Sequence, residues 1–239
     1  VNVNIIDSEK ISIFSNACMY GNKKIVNLLI EKGADINAVD NYRNTPLFSA
    51  IEKDNKEVVE ALISKGAEIN IYNGAWFTPL ANAAFYNSKN VIQLLIDNGA
   101  EIEKGHSYFN SAYTPLLVAC SKNSKEALEI LIKNGASLDA RGKEGVTPLM
   151  FAAAGNGVEV MKILLETNPK MDIDASSDST YNALLYAVIS DAKNAVEFLI
   201  SKGADMEYEN GSGKTALMLA TSKNKKEIAN LLIKKGAKK

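Results

Sequence analysis

Short apolar blocks alternate with polar ones in a fixed order along the whole chain. A compact helix-sized block is followed by a turn residue, a longer amphipathic block, a glycine and a polar segment. The order is plainest at Thr45-Pro46-Leu47, which returns as Thr78-Pro79-Leu80, Thr114-Pro115-Leu116 and Thr147-Pro148-Leu149, weakens to Asn182-Ala183-Leu184 and recovers as Thr215-Ala216-Leu217. Successive copies lie 33, 36, 33, 35 and 33 residues apart, and a degenerate first copy runs through Ser12, Ile13 and Phe14. Threonine or asparagine ahead of proline predicts a helix start: the side-chain oxygen caps free backbone N–H groups, and proline suits the first helical position. Alanine follows in every copy, at Ala17, Ala50, Ala83, Ala119, Ala152, Ala187 and Ala220, and lets neighbouring helices approach closely. A break comes next, at Gly21, Asp54, Asn87, Asn123, Asn156, Asp191 and Asn224, all residue types that tolerate a left-handed backbone.

A second helix follows in each copy, with its apolar residues on one stripe. In the first copy these are Ile25, Val26, Leu28, Leu29 and Ile30, and the leucine recurs at Leu62, Leu95, Leu131, Leu164, Leu199 and Leu232. The helix is expected to stop at Gly33, Gly66, Gly99, Gly135, Asn168, Gly203 and Gly236. A polar segment such as Ala34-Asp35-Ile36-Asn37-Ala38 then reads as an extended connection or hairpin projecting from the stack. A lone helix pair cannot bury its own apolar face, whereas stacked pairs bury a continuous one. The fold class predicted is therefore all-α, a helix-turn-helix solenoid with short β-hairpin-like loops. It forms a single domain over 1–239, with a partial segment at 1–10 and repeats at about 11–40, 41–72, 73–104, 105–140, 141–175, 176–209 and 210–239.

The pattern T-P-L-x-x-A, a turn, then I-V-x-L-L-I-x-x-G-A-D-I-N and a hairpin resembles the ankyrin repeat, over roughly residues 11 to 239. The resemblance implies a curved stack with its loops set at right angles to the helices. It also implies a partner met on the concave side, which is made from the hairpin tips and the exposed end of each first helix. The histidine usual after T-P-L is replaced by Phe48, Ala81, Leu117, Met150, Leu185 and Met218, so the inter-repeat hydrogen bonds it makes in the family are in doubt here. The fifth copy ends Asn168-Pro169, and lengthened loops are expected near 103–113 and 170–180.

Composition narrows the function. Net charge is −1, and of 27 basic residues only Arg43 and Arg141 are arginines, so neither nucleic acid nor an anionic membrane is an expected partner. No apolar run reaches 18 residues, so no membrane insertion is expected. Cys18 and Cys120 are too few for a disulfide framework and fall just after the repeat alanine, where small core residues stand in other copies. The one histidine, His106, has no metal-binding companions, and Gly211-Ser212-Gly213-Lys214-Thr215 has the wrong spacing for a phosphate loop. No catalytic residue, metal or cofactor is expected, and enzyme activity is not. The opening at Val1 is compatible with a removed leader or neighbouring domain, and the cytoplasm is the compartment favoured. The lysine-rich last copy, with Lys225, Lys226, Lys234, Lys235, Lys238 and Lys239, reads as a solubilising cap.

The repeat leaves a second set of positions free to vary. Of 17 aromatic residues, eight fall between 72 and 113: Tyr72, Trp76, Phe77, Phe85, Tyr86, Tyr108, Phe109 and Tyr113. Most sit at hairpin tips or the exposed ends of first helices, and such residues favour interface hot spots. The exposed helix ends also include Met19 and Tyr20, and Glu52 with Lys53; Tyr42 is at a tip. Asn82, one turn before Phe85 and Tyr86, corresponds to Asn16 and Ser49 in earlier copies. The expectation is a groove over repeats 2–4 that binds a peptide or protein partner. Its candidate contacts are Tyr42, Glu52, Lys53, Tyr72, Trp76, Phe77, Asn82, Phe85, Tyr86, Phe109 and Tyr113, and a monomer is favoured over a homo-oligomer. Against this stand internal packing of the same rings, a self-associating scaffold, and a regulatory piece of a longer enzyme or effector.

Overall fold

A computed structural model describes residues 3–105 and 113–238 of the chain. These residues divide into two compact units, one comprising 3–105, 113–115 and 126–136 and the other 116–125 and 137–238. The first carries α1 (Ile13–Tyr20), α2 (Lys23–Glu31), α3 (Pro46–Glu52), α4 (Lys56–Ser64), α5 (Pro79–Tyr86), α6 (Lys89–Asp97) and nearly all of α8 (Lys125–Lys133). The second carries nearly all of α7 (Pro115–Lys122), α9 (Pro148–Ala154), α10 (Val158–Thr167), α11 (Ala183–Ile189), α12 (Lys193–Ser201), α13 (Ala216–Ser222) and α14 (Lys226–Lys234), with a 3-10 turn at Lys143–Gly145. There is no strand among the described residues; a single antiparallel bridge joins Ile6 and Ser12.

The helix starts follow the capping chemistry. Ser12, Thr78, Thr147, Asn182 and Thr215 each accept a hydrogen bond from the backbone N–H three residues on, and proline opens α3, α5, α7 and α9. Thr45 departs from the expectation. Its hydroxyl is buried without a partner, and Phe48 N–H bonds instead to the Thr45 carbonyl at 3.0 Å.

The turn between the helices of a pair is left-handed at Asp54, Asn87, Asn123, Asn156, Asp191 and Asn224, with φ between 52° and 61°. Gly21 is the exception, with extended backbone at φ −85°. Glycine is needed there for space, because a Cβ would collide with the Ala17 carbonyl oxygen. Second helices end in left-handed glycines at 33, 66, 99, 135, 203 and 236. Asn168 again departs: at φ −126° it closes α10 without a left-handed turn, ahead of Pro169.

The connections expected as hairpins are five-residue turns closed by a backbone bond between their first and last residues. Residues 7, 40, 73, 142, 177 and 210 each donate N–H to the carbonyl four residues on, at 2.9–3.2 Å. In five of the six an Asp, Asn or Ser side chain at the first position accepts N–H groups from within the turn, as Asp40 does from Tyr42 and Asn44 at 2.8 Å. Neighbouring turns are tied by Asn41 N–H to Glu9 O (3.0 Å), Gly74 N–H to Tyr42 O (2.7 Å) and Asp178 N–H to Glu144 O (2.8 Å).

A second set of ties joins connections to the end of the next second helix. Asn37 Nδ2 donates to Gly66 O at 3.2 Å while its Oδ1 accepts from Glu68 N–H at 3.1 Å; Asn70 makes the same pair to Gly99 O and Glu101 N–H, both at 2.9 Å. Asn4 does likewise to Gly33 O and Asp35 N–H. Each core joins the predicted leucine stripe of the second helices to apolar residues of the first helices. In the first unit Phe14, Leu47, Ile51, Leu62, Leu80, Ile92, Leu95, Leu128 and Leu131 are buried, and in the second Leu116, Leu149, Leu164, Leu184, Leu199 and Leu232. Full burial of one such side chain stabilises by about 1.5–3 kcal/mol. The stripe of α2 is only partly covered: Val26 is buried, but Ile25 and Leu28 are exposed, whereas Val58 and Val91, equivalent to Ile25 on α4 and α6, are buried with the preceding second helix packed against them.

Candidate functional site

The variable positions of the first unit converge on one groove of about 840 Å³. Its lining comes from successive first helices and the turns before them. α1 gives Asn16, Met19 and Tyr20; α3 gives Phe48, Ser49 and Glu52; α5 gives Asn82, Phe85 and Tyr86; the turns give Tyr42, Asn44, Asn73, Gly74 and Phe77. Gly74 is required where it stands, since a Cβ would lie 2.5 Å from the Tyr42 carbonyl oxygen that ties the two turns together.

Polar and aromatic residues have different parts in this lining. Asn16, Ser49 and Asn82 occupy one register, one residue per repeat, and their side chains make no hydrogen bond among the described residues. Asn82 is only 7 % exposed as a residue, and its carboxamide is not among the buried polar groups left without a partner, so the little it exposes is polar and borders the groove. The rings pack on one another while keeping faces open: Phe85 and Tyr86 meet at 5.0 Å between centroids, Phe77 and Phe85 at 5.7 Å, and Phe77 and Tyr113 edge-on at 6.3 Å. Tyr20, Tyr42 and Tyr86 remain exposed.

The charged groups of the lining are both acidic. Asp40 is spent on its own turn, accepting from the N–H groups of Tyr42 and Asn44 and from Asn44 Nδ2. Glu52 pairs with Lys53 at 3.2 Å, and the Lys53 ammonium sits 5.6 Å above the centre of the Tyr20 ring. A hydrogen bond to Glu52 and its negative charge hold Lys53 above its ordinary range. Burial first, then the Glu52 charge, pushes the Tyr86 phenol up.

Of the residues expected to bind, Tyr42, Glu52, Phe77, Asn82, Phe85 and Tyr86 line this groove, and Lys53 lies at its edge on Glu52. Tyr113 reaches the cluster through Phe77. Tyr72 and Trp76 do not line it; they border a separate cleft with Val39, Arg43 and Ile71. Trp76 takes a left-handed backbone, φ 61°, at the turn position that Gly145 and Gly213 hold in later copies. Phe109 and His106 lie outside the described residues. The groove thus draws on repeats 1–3, one repeat earlier than the window of aromatic enrichment. Tyr20, Asn16 and Ser49 belong to it by register, a signal that counting aromatics in one window passes over.

Little else invites chemistry. Both cysteines are buried, which pushes the Cys18 thiol up to about 12 and raises that of Cys120 as well. Among the described residues no three His, Cys, Asp or Glu side chains gather as a metal would require, and no helix is long and apolar enough to cross a membrane. At the last repeat Lys225 pairs with Asp191 and Lys235 with Glu197.

Comparison with known proteins agrees with the repeat geometry. A family model described as ankyrin repeats (3 copies) matches residues 1–73, 74–142, 116–210 and 170–239. Among solved structures, the human ASB11 ankyrin repeat domain is similar at a TM-score of 0.80 and 25 % identity, covering 96 % of this chain and 100 % of that one. No curated protein matches the sequence. The residues, their helix pairs and the family match lead to one conclusion: the chain belongs to the ankyrin-repeat family.

Proposed function

We propose that the chain is a non-catalytic binding module whose first unit holds an extended segment of a partner protein in the groove of repeats 1–3. Ankyrin repeats are generally protein–protein interaction modules. What supports the finer reading is the row Asn16, Ser49 and Asn82, polar side chains left without partners between aromatic walls. A carboxamide offers both a donor and an acceptor, which is what a peptide backbone group needs. Helices pack about 8–10 Å apart, and an extended chain advances about 3.1–3.4 Å per residue. Every third peptide residue would therefore meet the next member of the row, and three repeats would take a segment of about seven residues. Tyr42, Phe77, Phe85 and Tyr86 supply apolar contact, with Tyr20 added from the first repeat.

Display of random dodecapeptides on the immobilised chain tests this. The same library is run on a double variant, Asn82→Ala with Phe85→Ala, shown by circular dichroism to be folded. Peptides enriched on the wild type and lost on the variant are expected. Equal enrichment on both would put the site elsewhere, and no enrichment on either would end the peptide reading.

A further inference from the structure

We propose that the groove selects a segment carrying an arginine or lysine, seated against Glu52 between the rings of Tyr20 and Tyr86. This rests on the groove reading above and adds the charge of the ligand to it. Two independent features carry it. One is Asn82, a residue only 7 % exposed whose carboxamide makes no hydrogen bond among the described residues and is not sealed from the groove it lines, which points to a polar ligand there. The other is charge: among the described lining residues the ionised groups are Asp40 and Glu52, and Asp40 is occupied by three hydrogen bonds of its own turn.

Glu52 keeps capacity to accept, since a carboxylate has about four lone-pair sites and its hydrogen bonds from Lys53 and from the Tyr86 hydroxyl use two. The chain's own Lys53 displays the chemistry of the seat. Its ammonium lies 3.2 Å from Glu52 and 5.6 Å from the Tyr20 ring centre, within cation–π range. Lys53 is a neighbour in sequence on a flexible, solvent-exposed stem, and such pairs are weak. An incoming guanidinium, planar and able to bond the carboxylate through two N–H groups while stacking on a ring, displaces it. A segment bearing Asp or Glu at that point would meet Glu52 and Asp40 instead and be rejected. The raised position of Lys53, set by its hydrogen bond to Glu52 and by the Glu52 charge, agrees with a negative field at this point.

The test repeats the dodecapeptide display on the wild type and on Glu52→Lys, and measures the groove-dependent peptides by fluorescence anisotropy on Lys53→Ala. Lys53 is exposed and Glu52 half-exposed, so folding is retained in both variants and is checked by circular dichroism. Groove-dependent peptides from the wild type are expected to share a basic residue at one position, and the Glu52→Lys pool is expected to exchange it for Asp or Glu. Lys53→Ala should tighten the basic peptides by about twofold to fivefold, because the internal competitor is gone. Groove-dependent peptides without a shared basic residue, or weaker binding to Lys53→Ala, would overturn the charge reading and leave the groove intact. Peptides indifferent to Asn82→Ala with Phe85→Ala would overturn the groove itself.

Discussion

Asp174 stands at the position where Asn4, Asn37 and Asn70 tie one repeat to the next, and its one missing donor has a measurable cost. Each asparagine accepts an N–H from the following repeat and donates to the carbonyl of that repeat's terminal glycine. Asp174 accepts Asp205 N–H at 3.2 Å through both oxygens and Asn182 Nδ2 at 3.1 Å, but a carboxylate cannot donate to the Gly203 carbonyl. Burial, joined by the charges of Asp205 and Asp172, pushes its carboxyl above the ordinary 3.8.

Asp174→Asn should therefore restore the bond, whose net worth is about 0.5–1.5 kcal/mol, and relieve a charge held near two others. A gain of about 1 kcal/mol at pH 7 should raise Tm by roughly 2–4 °C. The sign with pH follows from the direction of the shift. With the folded value above the unfolded one, the folded wild type favours the protonated acid, so its deficit is complete only above the folded value. The variant's advantage should shrink as pH falls through that value towards 3.8. The opposite change, Asn70→Asp, removes a donor that now bonds at 2.9 Å and should cost about 1–3 kcal/mol. Thermal melts by circular dichroism at pH 7 and pH 4 read both. A lower Tm for Asp174→Asn, or a gain equal at the two pH values, would refute the reasoning.

Three further outcomes follow from the same structure. Asn82→Leu should leave the free chain at least as stable in urea melts, since the carboxamide has no intramolecular hydrogen bond to lose, while abolishing peptide capture; Leu219 already fills the equivalent position in the last copy at 3 % exposure. Gly66→Ala should cost about 1–2 kcal/mol by the same melts, because its φ of 94° is strained for any L side chain although the added carbon would touch nothing. Cys18 and Cys120, buried and with raised thiol values, should resist a disulfide reagent at pH 8 and react only when denaturant unfolds the chain.

The fold was legible because its repeat writes physical requirements into single residues. Threonine-proline starts, left-handed Asn or Asp turns and terminal glycines each recur in phase, and Leu62, Leu95 and Leu131 lie where the period puts them. The exceptions are local. Gly21 serves clearance rather than a left-handed turn, Asn168 adjoins a proline, and Thr45 leaves its hydroxyl idle. Of the site, register carried more than composition did. Asn82, Phe85, Tyr86 and Glu52 meet because equivalent positions on α3 and α5 face one groove, and the same rule brings in Tyr20, Asn16 and Ser49. Aromatic density drew attention to Tyr72 and Trp76 as well, but the five-residue turn closed by Asn73 N–H to Phe77 O sets Trp76 in a left-handed conformation, and it borders a separate cleft. That turn's geometry depends on Asn73 accepting two N–H groups, a local bond that the pattern of apolar residues does not encode.

The most direct test of the central claim is an amide chemical-shift map of the chain titrated with a peptide taken from the display. Shifts are predicted at Asn16, Tyr20, Ser49, Glu52, Asn82 and Tyr86, growing together with one dissociation constant and absent on Asn82→Ala with Phe85→Ala. Shifts gathered in the second unit, or spread over the chain without that set, would contradict the assignment of the groove as the binding site.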